Sequence, residues 1–129
     1  MSLPEKVKYW LDLAHEDISV AQGLLGIGKF LYAGFLCQLA VEKALKAKIE
    51  SIGETPLKIH NLIRLAEMGS VLDIMTEEQK ALLQILNPLQ IEARYAAYKQ
   101  NLADMLTSVD CADMIEQAKE VISWIEKQL

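Results

Sequence analysis

Glycine and proline supply only nine of the 129 residues, and charged residues make up 24% against 52% apolar. That balance excludes a collagen-like or linker-rich chain and an intrinsically disordered one, since a disordered chain lacks the apolar material for a core. Cysteine is scarce. Cys37 and Cys111 stand far apart, each inside an apolar helical pattern, and read as two reduced core thiols rather than a Cys-x-x-Cys redox centre or a zinc site. Positive charge is also short, 13 Lys and Arg against 18 Asp and Glu for a net charge of -5. Binding to duplex DNA through counterion release needs clustered cations, so sequence-specific duplex binding is not expected. No uncharged stretch reaches the roughly 18 residues of a membrane span, and the N-terminus has no basic-then-apolar signal pattern. The expectation is a cytoplasmic protein without membrane contact.

What remains is helical material for one domain over residues 1–129. From Pro4 to Leu25, apolar residues fall at Val7, Leu11, Ala14, Ile18, Ala21 and Leu25, the four-three spacing of an amphipathic helix. Ser2 with Glu5 forms a capping box, and Gly26 and Gly28 end the helix. A second helix from Lys29 to about Ile52 is too apolar for one narrow face and should be central, with Gly53 as its C′ stop and Glu54-Thr55-Pro56 as a loop. A short helix from about His60 to Met68, closed by Gly69, follows. Thr76 and Gln79 then box the start of a helix whose apolar face is Ala81, Leu82, Ile85 and Leu86. Asn87-Pro88 breaks it, with Asn87 capping a new short turn that runs to Arg94 and Tyr95. The last helix spans about Ser108 to Gln128 on Cys111, Ile115, Ala118, Ile122, Ile125 and Leu129. No stretch alternates with the period of a strand. The fold expected is an all-α, up-and-down four-helix bundle with an additional short helix.

Several polar residues fit a bundle badly. Asp17 interrupts a second apolar stripe, Trp10, Leu13, Val20 and Leu24, so its carboxylate needs a cationic partner, for structure or for a site. Gln38, Glu42 and Lys46 line up at i,i+4 steps beside Lys43, either a solvated seam with a favourable Glu-Lys pairing or part of a site. Residues 42–64 carry five Lys and Arg against three acids, whereas residues 101–129 carry two against six, a polarity that favours anions at one end. His15 belongs to the polar phase of its helix. His60 can anchor a loop or contact a phosphate. The two histidines lie 45 positions apart with no helical partner, so neither metal nor cofactor is expected. In Arg94-Tyr95-Ala96-Ala97-Tyr98-Lys99, arginine can fork onto phosphate and tyrosine can stack on a base, or the arginine can serve a salt bridge between packed tyrosines.

Asp17 within Ala14-His15-Glu16-Asp17, the run Phe35-Leu36-Cys37-Gln38-Leu39-Ala40-Val41-Glu42-Lys43-Ala44-Leu45-Lys46, then His60-Asn61-Leu62 and Ala93-Arg94-Tyr95 together resemble, in order and spacing, the HEPN (higher eukaryotes and prokaryotes nucleotide-binding) domain family. The resemblance covers nearly the whole chain. It implies a helical bundle that forms homodimers, often paired with a small nucleotidyltransferase in a toxin-antitoxin-like system, and it implies binding of nucleotides or RNA. Many such proteins are metal-independent ribonucleases with an Arg, four to six residues, then His. In that chemistry the arginine steadies the charged phosphorane and the histidine moves the proton. Arg94 matches the first element, but Lys99, Gln100 and Asn101 stand where the histidine belongs. An unperturbed lysine titrates at about 10.4, a poor base near neutrality. The resemblance therefore favours a nucleotide-, RNA- or nucleotidyltransferase-binding module contacting its ligand through Arg94, Tyr95, Lys43 and Lys46, with Asp17 and Glu42 organising them. A ribonuclease centred on Arg94 with Lys99 or His60, and a non-catalytic interaction scaffold, are the alternatives.

Overall fold

The structure, a computed structural model, describes residues 1–92 and 106–129. The helices are α1 (Leu3–Gly26), α2 (Phe30–Ser51), α3 (Leu62–Met68), α4 (Glu77–Leu86), α5 (Leu89–Glu92) and α6 (Ser108–Lys127), with a 3-10 turn at Leu72–Ile74. The described residues contain no strand. The fold is the all-α bundle expected. α1, α2 and α6 run to 24, 22 and 20 residues, whereas α4 has ten. Lys6 at the start of α1 pairs with Glu50 at the end of α2, so these two helices are antiparallel. The Cys111 thiol near the start of α6 meets the Phe30 carbonyl at the start of α2, which sets α6 parallel to α2. The start of α4 borders Gln117 and Val121 and its end borders Asp110 and Asp113, making α4 antiparallel to α6. The order is up, down, up, down.

Local chemistry explains the boundaries. Ser2 accepts the Glu5 amide, the first half of the expected box. Gly28 and Gly53 take the left-handed conformation, φ 77° and 83°, just beyond α1 and α2. There the next amide reaches back to close the helix, Lys29 to the Leu24 carbonyl and Glu54 to that of Ile49. α3 closes at Gly69 as expected, but the left-handed turn falls one residue later. Gly69 is right-handed, and Ser70 with φ 60° carries the left-handed turn. The Val71 amide then bonds the Ala66 carbonyl, and burial of Val71 offsets the strain at the serine. Thr76 and Gln79 form the predicted reciprocal box, and Thr107 with Asp110 forms a second one at α6.

The α1 stripe buries Ala14, Ile18 and Ala21, with Val7, Leu11 and Leu25 half-buried. On α6, Cys111, Ile115, Ala118, Ile122 and Ile125 are buried as expected. On α4 the buried face is rotated from the expected one: Leu82, Leu83 and Leu86 are buried, while Ala81 and Ile85 are exposed. Gly34 lets α2 approach α5 and α6, since a Cβ there would lie 3.0 Å from the Leu89 side chain. Both cysteines are buried. Burial pushes the Cys37 thiol up to about 12, helped by neighbouring Cys111, and burial raises the Cys111 thiol as well.

These thiols are expected to resist an aromatic disulfide reagent in the folded protein and to react fully after denaturation. An unfolded cysteine titrates near 9.0 and folded Cys37 near 12, so between these values the folded state holds more protons. The stability contribution is complete below the lower value and is lost as pH rises toward the upper one. Urea unfolding across this window should show a shallower decline in Cys37→Ala than in the parent; equal slopes would contradict the buried-thiol assignment.

Candidate functional site

The polar ridge of α2 is not a solvated seam. Gln38, Glu42 and Lys46 are 0%, 4% and 8% exposed. The helical i,i+4 spacing stacks them on one face, and the segment after α2 folds back over that face. Gln38 Nε2 donates to Glu42 Oε1 at 3.1 Å and to the backbone carbonyl of His60 at 3.0 Å. Lys46 Nζ donates to Glu42 Oε2 at 3.2 Å and lies 5.5 Å from the Trp10 ring centre, so the aromatic face of α1 helps to cover the ammonium. His60 Nδ1 lies 2.9 Å from Glu42 Oε1. One buried carboxylate thus gathers three side chains from two parts of the chain.

This arrangement defines the imidazole. An ionised carboxylate only accepts, so in neutral His60 the proton sits on Nδ1 and the lone pair on Nε2. His60 is 44% exposed at its side chain, and Nε2 has no hydrogen-bond partner among the described residues. Gln38 Oε1, fully buried, also has no partner among them, because both hydrogen bonds of that amide fall on its nitrogen.

Beside His60 lies a cleft of about 380 Å³ lined by His60, Asn61, Asn87, Pro88 and Gln90. Asn61 is the N-cap of α3, accepting the Ile63 and Arg64 amides. Asn87 does not serve the short turn after it as expected. Its Oδ1 accepts the Leu62 amide at 2.8 Å and its Nδ2 donates to Asn61 Oδ1 at 3.3 Å. The two asparagines therefore join the start of α3 to the α4–α5 corner. Neither Asn61 nor Gln90 stands out in the sequence as a site residue; the Asn-Leu step before an apolar run is the available capping signal for Asn61.

The other expected site residues separate. Asp17 finds its cation in Lys43 at 2.7 Å, with side chains 12% and 22% exposed. Lys43 and Lys46, expected from sequence as ligand contacts, have their ammonium groups on Asp17 and Glu42. Arg64 pairs with Glu67. Three of the five cations of the basic middle, Lys43, Lys46 and Arg64, are thus paired with carboxylates. His15 is exposed and pairs with Glu126 of α6. Arg94, Tyr95 and Lys99 lie outside the described residues. Among the described residues no group of three or more His, Cys, Asp or Glu is placed to hold a metal ion, and no helix is long and apolar enough to cross a membrane.

Removal of the central carboxylate leaves the buried Lys46 ammonium unpaired, takes one of two acceptors from Gln38 Nε2 and takes the acceptor of His60 Nδ1. Glu42→Ala is expected to lower the unfolding free energy by about 3–5 kcal/mol. Lys8→Ala, which breaks an exposed pair with Asp12, should change it by less than about 1 kcal/mol. Similar unfolding midpoints for both variants would show that the Glu42 array does not hold the fold.

The crystal structure of TT1696 from Thermus thermophilus superposes on this bundle with a TM-score of 0.80 at 23% identity, covering 96% of this chain and 98% of that one, which shows a common fold. No protein with a curated description matches the sequence. A family profile described as HEPN domain matches residues 7–128, and the chain belongs to the HEPN domain family.

Proposed function

We propose that this chain is a homodimeric HEPN module that binds a nucleotide or RNA. The observation that carries the reading is the His60 ring, oriented by buried Glu42 and bordering a cleft that Gln90 also lines. Arg94 and Tyr95 follow Gln90 closely in sequence, and they supply the phosphate fork and the stacking surface. Asp17 and Glu42 act by fixing Lys43 and Lys46 within the bundle rather than by touching ligand. Dimerisation draws support from the exposed aliphatic residues Ile74, Ile85 and Val109 and from an apolar groove of about 280 Å³ bounded by Ile85, Leu89, Leu106 and Met114. A nucleotidyltransferase encoded alongside is the protein partner proposed, in a toxin-antitoxin-like pair.

A second reading, a metal-independent ribonuclease, is favoured by one feature: a carboxylate-held imidazole with an open nitrogen is the form a general base takes. In this reading His60 substitutes for the histidine that Lys99, Gln100 and Asn101 replace.

Titration with a labelled oligoribonucleotide should show binding that Arg94→Ala abolishes while the thermal unfolding midpoint stays unchanged. Intact binding in that variant would sink the assignment of Arg94. Incubation with mixed RNA in EDTA separates the two readings: unaltered RNA supports the binding module, and cleavage lost in both Arg94→Ala and His60→Ala establishes the ribonuclease. Light scattering should give about twice the 14.5 kDa chain mass, and a monomer at micromolar concentration would contradict the dimer.

A further inference from the structure

Among the described residues, the lining of the cleft beside His60 carries hydrogen-bonding capacity but no formal positive charge. Its lining consists of an imidazole, three carboxamides and a proline. Much of the carboxamide capacity is already used inside the protein. Asn61 Oδ1 accepts the Ile63 and Arg64 amides and Asn87 Nδ2, and Asn87 Oδ1 accepts the Leu62 amide. What is left toward described residues is Asn61 Nδ2 and the second N–H of Asn87 Nδ2 as donors, the Gln90 amide as both donor and acceptor, and His60 Nε2. Because Glu42 holds the Nδ1 proton, neutral His60 offers Nε2 only as an acceptor. Pro88 adds an apolar surface to the wall.

A phosphate placed here would meet no cation among the described lining residues, whereas a neutral planar group with a donor beside an acceptor would match the available atoms. Nucleobase edges have that character, with ring or exocyclic N–H groups beside carbonyl or ring-nitrogen acceptors. The cleft volume of about 380 Å³ also falls at the small end of ligand pockets, about 300–1,000 Å³.

We infer that the His60, Asn61, Asn87, Gln90 cleft is a nucleobase subsite in which His60 Nε2 accepts a hydrogen bond from a base N–H and Asn61 Nδ2 or the Gln90 amide donates to the adjacent base acceptor. This rests on the nucleotide-binding reading and deepens it. The base is read by neutral groups, and the phosphate is left to cationic groups elsewhere. Glu42 is a positioning residue that fixes the sense of the His60 hydrogen bond without touching the ligand.

The test is calorimetric titration of the full chain, at about pH 8, with the four ribonucleoside monophosphates, their nucleosides and ribose 5-phosphate. At least one nucleotide should bind about tenfold more tightly than ribose 5-phosphate, the scale of one or two added neutral hydrogen bonds. His60→Phe and Gln90→Leu should each erase most of that advantage while leaving ribose 5-phosphate affinity unchanged. Gln90→Leu is the second variant because the Gln90 side chain has no hydrogen bond to a described residue to lose, so it keeps the test valid if His60→Phe fails to fold. Nucleotide binding that is lost in Arg94→Ala but retains its base advantage in both cleft variants overturns the subsite and leaves the nucleotide reading standing. Binding of nucleosides alone, sensitive to His60, supports the subsite while removing the phosphate contact. Failure of every nucleotide and nucleoside to bind overturns both.

Discussion

A carboxylate buried in the middle of the most apolar helix is the constraint on which the site depends. Glu42 is 4% exposed, and α2 offers it only Gln38 and Lys46 at neighbouring turns. An ionised group so placed is tolerable only when its lone pairs are filled, and the helix alone leaves that incomplete. The remaining donor is His60, eighteen residues along the chain from Glu42. Satisfying the charge therefore dictates where the connection after α2 must go. The Gln38 amide, by holding the His60 carbonyl, fixes the backbone of the same residue whose ring meets the carboxylate.

From that point the rest of the cleft follows by local capping. Once His60 is pinned, Asn61 is in place to cap α3, and the Leu62 amide, unused within the helix, reaches Asn87. Asn87 lies between α4 and α5, so the first turn of one short helix determines the corner leading into another. Leu89 of α5 packs over Gly34 of α2, returning the chain to the element that began the sequence of contacts. The short helices are too brief to be stable by themselves. Their positions are set by these polar ties and by burial of Leu62, Leu65 and Leu89.

The long helices were legible because their signals are local and repetitive. The four-three spacing of α1 and α6, the left-handed glycines Gly28 and Gly53 and the Thr76-Gln79 box depend on neighbours a few residues away. The need of Asp17 for a cation was legible for the same reason, burial being implied by the surrounding stripe, though not that Lys43 would supply it. The burial of Gln38, Glu42 and Lys46 was not legible. An i,i+4 polar ridge looks the same in sequence whether water or another segment covers it, and here the cover is a loop residue and Trp10. The rotated face of α4 has a related cause, since Leu82, Leu83, Ile85 and Leu86 offer two overlapping apolar stripes and packing against the bundle selects one. The Asn61-Asn87 tie spans 26 residues and leaves no local trace.

Membership of the HEPN family accounts for the bundle, while the chemistry assigned to this chain turns on how Glu42 holds His60. The most direct measurement is nitrogen NMR of the His60 ring at about pH 8. The predicted spectrum has the proton on Nδ1 and a lone-pair nitrogen at Nε2. In Glu42→Gln, where the amide oxygen stays on Lys46 and the NH2 group turns toward Nδ1, the proton should move to Nε2. An Nε2 proton in the parent protein, or free exchange between the two forms, would contradict the account.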